Sequence, residues 1–298
     1  MTRDEPVFVP QDSQAPAGSA SGSEQPGVSA SVIVPNLNNA SFLGHTLASL
    51  AGQQAPDLEV IVIDGGSTDG SVEIIRSWAE ANAARWVSEP DDGQAQAINK
   101  GFRMARGDIV TWLNSDDLFA PGAVARAIQE FERDPELDFI WGFCLLIDAE
   151  GRPLRIGNFD ASRDLAELRG SRNFVTQPGT WFRRSLLDRI GYLDESYQFV
   201  FDYEFFLRLA GNVKARFVPE VLSSFRIHAS SKTGSQHWKF LPEEWRAFRS
   251  HGGRINSPFV LDILRNRLVM PAVSRMTRPL RYLLWRALGL APGTKVRV

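Results

Sequence analysis

The stretch Ile109-Val110-Thr111-Trp112-Leu113-Asn114-Ser115-Asp116-Asp117 joins a short apolar run to two adjacent carboxylates. The apolar run predicts a buried strand, and a charged pair directly after it is costly to bury unless it is paired or bound to a metal. In an open parallel sheet, ligands bind just beyond the carboxyl ends of the strands. The stretch therefore predicts that Asp116 and Asp117 face a ligand. The alternative is a solvated turn ahead of a helix that begins at Pro121.

Strands and helices alternate around this stretch. The predicted strands cover residues 31–34, 59–64, 85–88 and 108–113, and the predicted helices cover 41–50, 71–81, 94–105 and 124–131. Beyond residue 138 the pattern is mixed, with predicted strands at 138–147, 151–157, 174–182 and 217–228 and predicted helices at 185–190, 203–209 and from 241. The sequence therefore predicts an α/β fold: a doubly wound, mostly parallel central sheet with helices on both faces and a C-terminal helical extension.

The predicted topology gathers polar side chains at one edge of the sheet. Right-handed crossovers place the carboxyl ends of the parallel strands on the same edge. Asn36, Asp64 and Asp91 should therefore lie near Asp116 and Asp117. Because hard cations such as Mg²⁺ or Mn²⁺ prefer carboxylate oxygens and share them with phosphates, this edge predicts a metal–diphosphate site.

Composition excludes several classes of protein. The 298 residues are 43% hydrophobic and 23% charged, and the formal net charge of −2 argues against a nucleic-acid binder. Cys144 is the single cysteine, so no internal disulfide can form and a reducing, cytoplasmic location is expected. The sequence has neither a secretory signal pattern nor an apolar run long enough to span a bilayer.

Composition also suggests how the chain divides. Residues 1–28 are rich in Ser, Ala, Pro, Gln and Gly and are predicted to be a disordered leader. Residues 29–240 should form the main folded domain, in which 29–118 is the regular alternating half and 119–240 the mixed half. Residues 241–298 are a basic helical extension, in which 279–298 either lies on the inner face of an anionic membrane or packs on the domain.

Several segments carry a family resemblance. They are Ser31-Val32-Ile33-Val34-Pro35-Asn36-Leu37-Asn38, Val62-Ile63-Asp64-Gly65-Gly66-Ser67-Thr68-Asp69-Gly70, Ser88-Glu89-Pro90-Asp91-Asp92-Gly93, Ala97-Ile98-Asn99-Lys100-Gly101 and Ser115-Asp116-Asp117. Together they resemble the inverting glycosyltransferases of the GT-A fold in family 2. Many members of that family carry a second acid at the position of Gly65. The similarity covers about residues 30–235, and it implies a nucleotide-sugar half over 29–118 and an acceptor half over 119–240.

The resemblance implies a set of donor-side residues. Those expected to bind the nucleotide-sugar are Pro35, Asn36, Asn38, Asp64, Gly66, Asp91, Gly93, Asn99, Asp116 and Lys232. A divalent metal, Mn²⁺ or Mg²⁺, is expected on Asp117, Asp116 and His228, with Asp117 favoured over Asp116 as the direct ligand.

The second half of the chain continues the resemblance through Gln177-Pro178-Gly179-Thr180-Trp181-Phe182, Phe201-Asp202-Tyr203-Glu204 and Arg226-Ile227-His228. In the family, an acid at the position of Asp202 is the general base. The alternative for Asp202 is the N-cap of a helix. Trp181, Tyr203 and Glu204 are expected on the acceptor side.

The expected function is metal-dependent, inverting transfer of a sugar from a UDP- or GDP-linked donor to a polysaccharide or lipid-linked glycan. A sugar nucleotidyltransferase would need a glycine- and lysine-rich loop after the first strand, and residues 35–39 contain neither residue type. A glycoside hydrolase needs a carboxylate pair but no nucleotide site. A non-catalytic scaffold with the same fold is the remaining alternative.

Overall fold

The computed structural model describes residues 27–55, 57–157, 163–232 and 239–264. Almost all of the predicted leader, and residues 279–298 with their predicted membrane contact, lie outside these ranges, so both remain predictions. None of the described helices combines the length and apolar character needed to cross a membrane.

Nine strands of the described residues form one sheet: β1 (Ala30–Asn36), β2 (Leu58–Asp64), β3 (Arg85–Ser88), β4 (Ile109–Trp112), β5 (Leu118–Phe119), β6 (Phe139–Ile147), β7 (Pro153–Ile156), β8 (Thr180–Arg183) and β9 (Ala215–Arg226). Their order is β3-β2-β1-β4-β8-β6-β9-β5, and β7 pairs with β6. Strands β1, β2, β3, β4, β6 and β9 run in one direction, whereas β5, β7 and β8 run in the other. The predicted mostly parallel sheet is confirmed.

Helices cover both faces of the sheet. The described α-helices are α1 (Ala40–Ala51), α2 (Ser71–Asn82), α3 (Gln94–Met104), α4 (Ala123–Arg133), α5 (Leu186–Ile190), α6 (Phe201–Leu209), α7 (Phe240–Ser250) and α8 (Pro258–Ile263). Alternate residues of β1 belong to different cores: Val32 and Val34 pack with α1, α2 and α4, while Ile33 packs with α3 and α6. This period of two is the one expected of a strand buried on both faces.

The register of the parallel strands brings their carboxyl ends together, as the crossover argument predicts. Asn36 at the end of β1 pairs with Asp64 at the end of β2, and Asp64 pairs with Ser88 at the end of β3. Leu113, just after β4, donates its backbone N–H to the carbonyl of Ile33. The loops after these four strands therefore share one edge of the sheet.

Two features of the second half differ from the sequence prediction. The strand predicted over residues 174–182 is shorter, because Gln177–Gly179 forms a 3-10 turn with proline at its start and only Thr180–Arg183 is extended. Helix α7 begins the segment predicted as a C-terminal helical extension, and it packs on α6 and contributes Ala247 and Phe248 to the main core.

The close packing of α3 on β1 yields a stability prediction. A Cβ added at Gly101 would lie 2.4 Å from the buried Cγ2 of Ile33, whereas one added at Gly44 of α1 would meet no heavy atom within 4 Å. Gly101→Ala should therefore lower the free energy of unfolding by about 1–3 kcal/mol, the cost typical of overpacking a core. The measurement is equilibrium unfolding in urea.

Gly44→Ala is the matched control. Both substitutions replace a helical glycine, so helix propensity should raise the free energy of unfolding by roughly 0.5–1 kcal/mol in each. Only Gly101→Ala also introduces a steric clash, which lowers it. Equal or greater stability of Gly101→Ala relative to the wild type would contradict the described contact between α3 and β1.

Candidate active site

A cleft of about 690 Å³ opens at the shared edge of the sheet. Loops that follow β1, β3 and β4 form one wall, and the segments before α6 and after β9 form the other. Among the residues that the sequence singled out, those lining the cleft are Pro35, Asn36, Asn38, Asp91, Gly93, Asp116, Asp202, Tyr203, His228 and Lys232. Residues that lie far apart in the chain thus meet at the predicted place.

Asp116 and His228 are within hydrogen-bond distance of each other in the cleft. Nε2 of His228 lies 3.0 Å from Oδ2 of Asp116, and its Nδ1 lies 2.8 Å from the hydroxyl oxygen of Ser230. The imidazole also packs against the ring of Phe42, with centroids 4.4 Å apart. These contacts hold both ring nitrogens of His228 in defined directions, and one of them points at the exposed carboxylate oxygen.

Asp117 does not line the cleft, which corrects the preference for it as the direct metal ligand. Its side chain is fully buried. One carboxylate oxygen accepts the backbone N–H of Arg226 at 2.9 Å, and the other accepts the side-chain amide of Asn114 at 3.0 Å. Burial, with a contribution from the negative charge of Asp116, raises the pKa of Asp117 well above its ordinary value. Asp117 therefore supports the turn, and the partly buried Asp116 is the member of the pair that lines the cleft.

Arg226 is a residue of this site whose role the sequence did not indicate. Its side chain is buried, and its guanidinium donates to the backbone carbonyls of Asp116, Asp148 and Ala149. The guanidinium carbon lies 5.1 Å from the ring centroid of Phe42. In the sequence, Arg226 is only the first residue of the motif Arg226-Ile227-His228. Its burial depends on tertiary packing, so the sequence did not indicate its role.

Asp64 and Gly66 shape the loop that follows β2, and they do not line the cleft. The buried carboxylate of Asp64 accepts hydrogen bonds from the side chains of Asn36, Ser67 and Ser88. It also accepts the backbone N–H groups of Gly66 and Ser67. A fully hydrogen-bonded carboxylate of this kind fixes the loop after β2, and neither Asp64 nor Gly66, both expected at the donor, is among the residues that line the cleft.

Asp91 occupies the space beside Gly65. A Cβ added at Gly65 would lie 2.6 Å from Oδ2 of Asp91, so no larger residue fits at Gly65 without moving that carboxylate. The other oxygen of Asp91 accepts the backbone N–H of Gly93, whose φ of +137° is a conformation that glycine adopts readily. Burial raises the pKa of Asp91, and the negative charges of Asp64 and Asp92 act in the same direction.

Three other expected site residues lie outside the cleft. Asn99 is buried, with its side-chain amide bonded to the backbone of Leu193 through both its nitrogen and its oxygen. Trp181 is fully buried and stacks on Phe119 at 5.4 Å between centroids. Glu204 points to the other side of α6. Tertiary contacts orient the side chains of these three residues away from the cleft. The sequence motifs do not encode those contacts.

The contacts of Glu204 explain its position. Its carboxylate accepts Nη2 of Arg208 at 2.9 Å and lies 3.3 Å from Nε2 of His251. It therefore joins α6 to the residue that follows α7. Glu204, expected on the acceptor side, therefore does not line the cleft.

Asp202 lies in the first turn of α6 and faces the cleft. Val200 is the N-cap residue of this helix, and it makes no side-chain cap, so the alternative of Asp202 as the N-cap is wrong. Burial raises the pKa of Asp202 to about 6, and the negative charge of Glu244 on α7 acts in the same direction. A carboxyl with this pKa is ionised at neutral pH and is a stronger base than an exposed aspartate.

Lys232 reaches across the mouth of the cleft. Its ammonium group donates to Oε1 of Gln94 at the start of α3 and to the backbone carbonyl of Gln198 before α6. Burial lowers the pKa of Lys232, while the negative charges of Glu243 and Asp91 act in the opposite direction. The segment after β9 is thus tied to the start of α3 and to the loop before α6.

The carboxylate and imidazole groups in the cleft have the chemistry needed to bind a divalent ion together with a phosphate. No group of three or more His, Cys, Asp or Glu that could enclose a metal occurs among the described residues. Asp116 and His228 supply one carboxylate and one imidazole within 3.0 Å of each other. Ions of the Mg²⁺ type are commonly held by one or two carboxylates together with substrate phosphates, so two protein ligands are compatible with such a site.

Comparison of the sequence with known proteins identifies a family. Residues 31–191, more than half of the chain, match the family described as Glycosyl transferase family 2. An uncharacterised glycosyltransferase of Mycobacterium tuberculosis is 33% identical over 187 residues, which cover 60% of this chain and 68% of that protein.

Comparison of the structure confirms the predicted GT-A fold. Residues 1–349 of S. aureus TarS in complex with UDP-GlcNAc superpose with a TM-score of 0.63 at 18% identity, covering 88% of this chain and 80% of that chain. The mannosyltransferase PcManGT from Pyrobaculum calidifontis, in complex with GDP-Man and Mn²⁺, superposes with a TM-score of 0.60 at 21% identity, covering 89% and 81%.

The raised pKa of Asp202 predicts a cost in stability at neutral pH. Because the folded-state pKa of about 6 exceeds the ordinary 3.8, the folded protein binds the proton more tightly than the unfolded chain. The stabilising effect of the proton is present below the ordinary pKa and is lost as the pH rises through 6. Asp202→Asn should therefore raise the free energy of unfolding by about 1–3 kcal/mol at about pH 8 and much less near pH 4.

Urea unfolding of the wild type and Asp202→Asn at both pH values checks this expectation. A difference between the two proteins that does not change with pH would contradict it. Glu220→Gln, which makes the same carboxylate-to-amide change at an exposed residue that does not line the cleft, is the control.

Proposed function

The chain belongs to glycosyl transferase family 2, and from this premise we propose that it transfers a hexose with inversion from a nucleoside-diphosphate donor to a hydroxyl group of a glycan. The donor is UDP- or GDP-linked, and the acceptor is a growing polysaccharide or a lipid-linked glycan. The proposal includes a divalent metal, Mn²⁺ or Mg²⁺.

One observation carries the proposal: Asp116 with His228, and Asp202, line the same cleft from different elements. The first two residues are suited to a diphosphate and its metal, and the third is suited to accept a proton. TarS and PcManGT, whose folds are similar, were solved with UDP-GlcNAc and with GDP-Man and Mn²⁺ respectively, which supports a nucleotide-sugar donor here.

On this proposal Asp116 and His228 hold the metal. Asp116 takes the place first expected of Asp117, since both oxygens of Asp117 already accept hydrogen bonds from Arg226 and Asn114. A bound divalent ion neutralises the charge that develops on a diphosphate leaving group. Lys232, which closes one side of the cleft, adds a positive charge to the same region.

The nucleoside end of the donor is assigned to the loops after β1 and β3. Asn36, Asn38 and Asp91 line this part of the cleft, and Gly93 allows the backbone to approach a ligand closely. Asn36 is held by the network around Asp64, so the position of its side chain is set before the donor binds. A preformed wall of this kind lowers the entropic cost of ordering the donor.

Asp202 is assigned as the general base. In a displacement with inversion, the acceptor hydroxyl loses its proton as its oxygen attacks the anomeric carbon, and the sugar–phosphate bond breaks on the opposite face. A carboxylate with a pKa of about 6 is ionised at neutral pH and strong enough to assist this transfer. Tyr203, adjacent in the chain, lines the acceptor end of the cleft.

The first test is a screen of nucleotide-sugars for metal-dependent turnover in the presence of glycan acceptors, followed by product analysis. We expect a free nucleoside diphosphate, because the leaving group departs without hydrolysis of the diphosphate. We also expect a product with inverted anomeric configuration, because the acceptor attacks the face opposite the breaking bond. Asp202→Asn should lower kcat by about 10²–10⁴-fold, the usual contribution of a general base. Its donor affinity, measured by calorimetry, should stay close to that of the wild type.

Other products distinguish the alternatives. Release of pyrophosphate would indicate nucleotidyl transfer, and retention of configuration would contradict the displacement. Binding of a nucleotide-sugar without turnover under any condition would support a scaffold. Unchanged kcat in Asp202→Asn would remove Asp202 from the role of base.

A further inference from the structure

Helix α7 holds the loop that leads into α6. The carboxylate of Glu243, in the first turn of α7, accepts three hydrogen bonds from successive backbone N–H groups. They come from Gln198 at 3.0 Å, Phe199 at 2.8 Å and Val200 at 3.2 Å. No local pattern in the sequence indicates this contact, because Glu243 lies more than 40 residues from the loop.

The three N–H groups precede the helix that carries Asp202. Val200 is the N-cap of α6 and lacks a side chain that could cap the helix. Its carbonyl accepts the N–H of Glu204, the first hydrogen bond of α6. Glu243 thus satisfies the backbone at the point where the helix begins, and its negative charge lies near the positive end of the helix dipole.

Other side chains of α7 contact the same loop. Arg246 donates to the backbone carbonyl of Ser196 at 2.9 Å, and its guanidinium carbon lies 3.7 Å from the ring centroid of Tyr197. Phe240 packs against Phe199 with 5.2 Å between ring centroids. The loop over residues 196–200 is therefore fixed to α7 by three kinds of contact. They are the backbone hydrogen bonds to the Glu243 carboxylate, the cation–π contact of Arg246 and the aromatic contact of Phe240.

The opposite side of the loop faces the cleft. The carbonyl of Gln198 accepts the ammonium of Lys232, and Gln198, Phe199 and Val200 all line the cleft. Glu243 holds the N–H groups of the segment while Lys232 holds one of its carbonyls. The loop that sets the position of Asp202 is therefore restrained from both sides.

We propose that Glu243 is a positioning residue for Asp202, which makes α7 part of the catalytic unit rather than an appended helix. Three hydrogen bonds to one carboxylate hold residues 198–200 in a single conformation, and the start of α6 follows directly from them. The role of Glu243 is thus to keep the carboxylate of Asp202 at a fixed distance from the acceptor hydroxyl. This inference rests on the proposed function, in which Asp202 is the general base.

The test compares Glu243→Gln with the wild type. The amide has the shape of the carboxylate but presents an NH₂ group where an acceptor is required, so at least one of the three backbone N–H groups loses its partner. We expect kcat to fall by about 10–100-fold, since small displacements of a catalytic group have effects of this size. The donor Kd should change less than about threefold, because Glu243 does not line the cleft.

Two further readouts separate positioning from general damage to the fold. The backbone amides of residues 198–200 should exchange hydrogen faster in Glu243→Gln, while the strand amides of β1 and β4 keep their protection. The acidic limb of the pH profile of kcat should move to lower pH, because a loosened loop hydrates Asp202. Glu243→Asp, which keeps the charge on a shorter side chain, should recover part of the lost kcat.

Glu220→Gln is the matched control, since it makes the same change at an exposed residue that pairs with Arg126, and neither residue lines the cleft. It should leave kcat, donor Kd and amide exchange at residues 198–200 unchanged. If Glu243→Gln does not fold, Glu243→Asp carries the same measurements.

The outcomes distinguish this inference from the proposed function. Wild-type kcat and pH profile in Glu243→Gln would overturn the inference, as would equal losses of donor affinity and kcat with an unmoved acidic limb. If the wild type has no transferase activity, the proposed function fails, and hydrogen exchange still decides whether Glu243 holds the loop.

Discussion

The site depends on one buried interaction, the hydrogen bond from the backbone N–H of Arg226 to the carboxylate of Asp117. It joins the turn after β4 to the end of β9, two segments more than 100 residues apart in the chain. The Arg226 side chain adds a second link to the carbonyl of Asp116. Because His228 follows two residues later, this join brings His228 to Asp116. The pairing of β5 with β9, directly beside this hydrogen bond, holds the same two segments together.

The two halves of the chain contribute differently to the cleft. The first half is a parallel sheet whose strand register alone places Asn36, Asp64 and the acids after β4 at one edge. The second half supplies Asp202 and His228 through loops that other parts of the chain must hold. The side chains of Arg226 and Glu243 do this by hydrogen bonding to main-chain groups of these loops.

The elements of the first half could be predicted from the sequence because their apolar periods are strong and each helix follows its strand directly. The orientation of neighbouring side chains could not. Asp116 and Asp117 are adjacent, and only tertiary contacts decide which one faces the cleft. Asn99 and Glu204 stand in matching motifs yet point away from it. Glu243 lacked any local signal, since its three partners lie in a different part of the chain.

The most direct measurement is the anomalous X-ray scattering of crystals grown with Mn²⁺ and UDP or GDP. We expect a manganese ion in the cleft that contacts Asp116, His228 and the diphosphate, while Asp117 keeps its bonds to Arg226 and Asn114. Manganese bound to Asp117, or a nucleoside diphosphate bound outside the cleft, would contradict it.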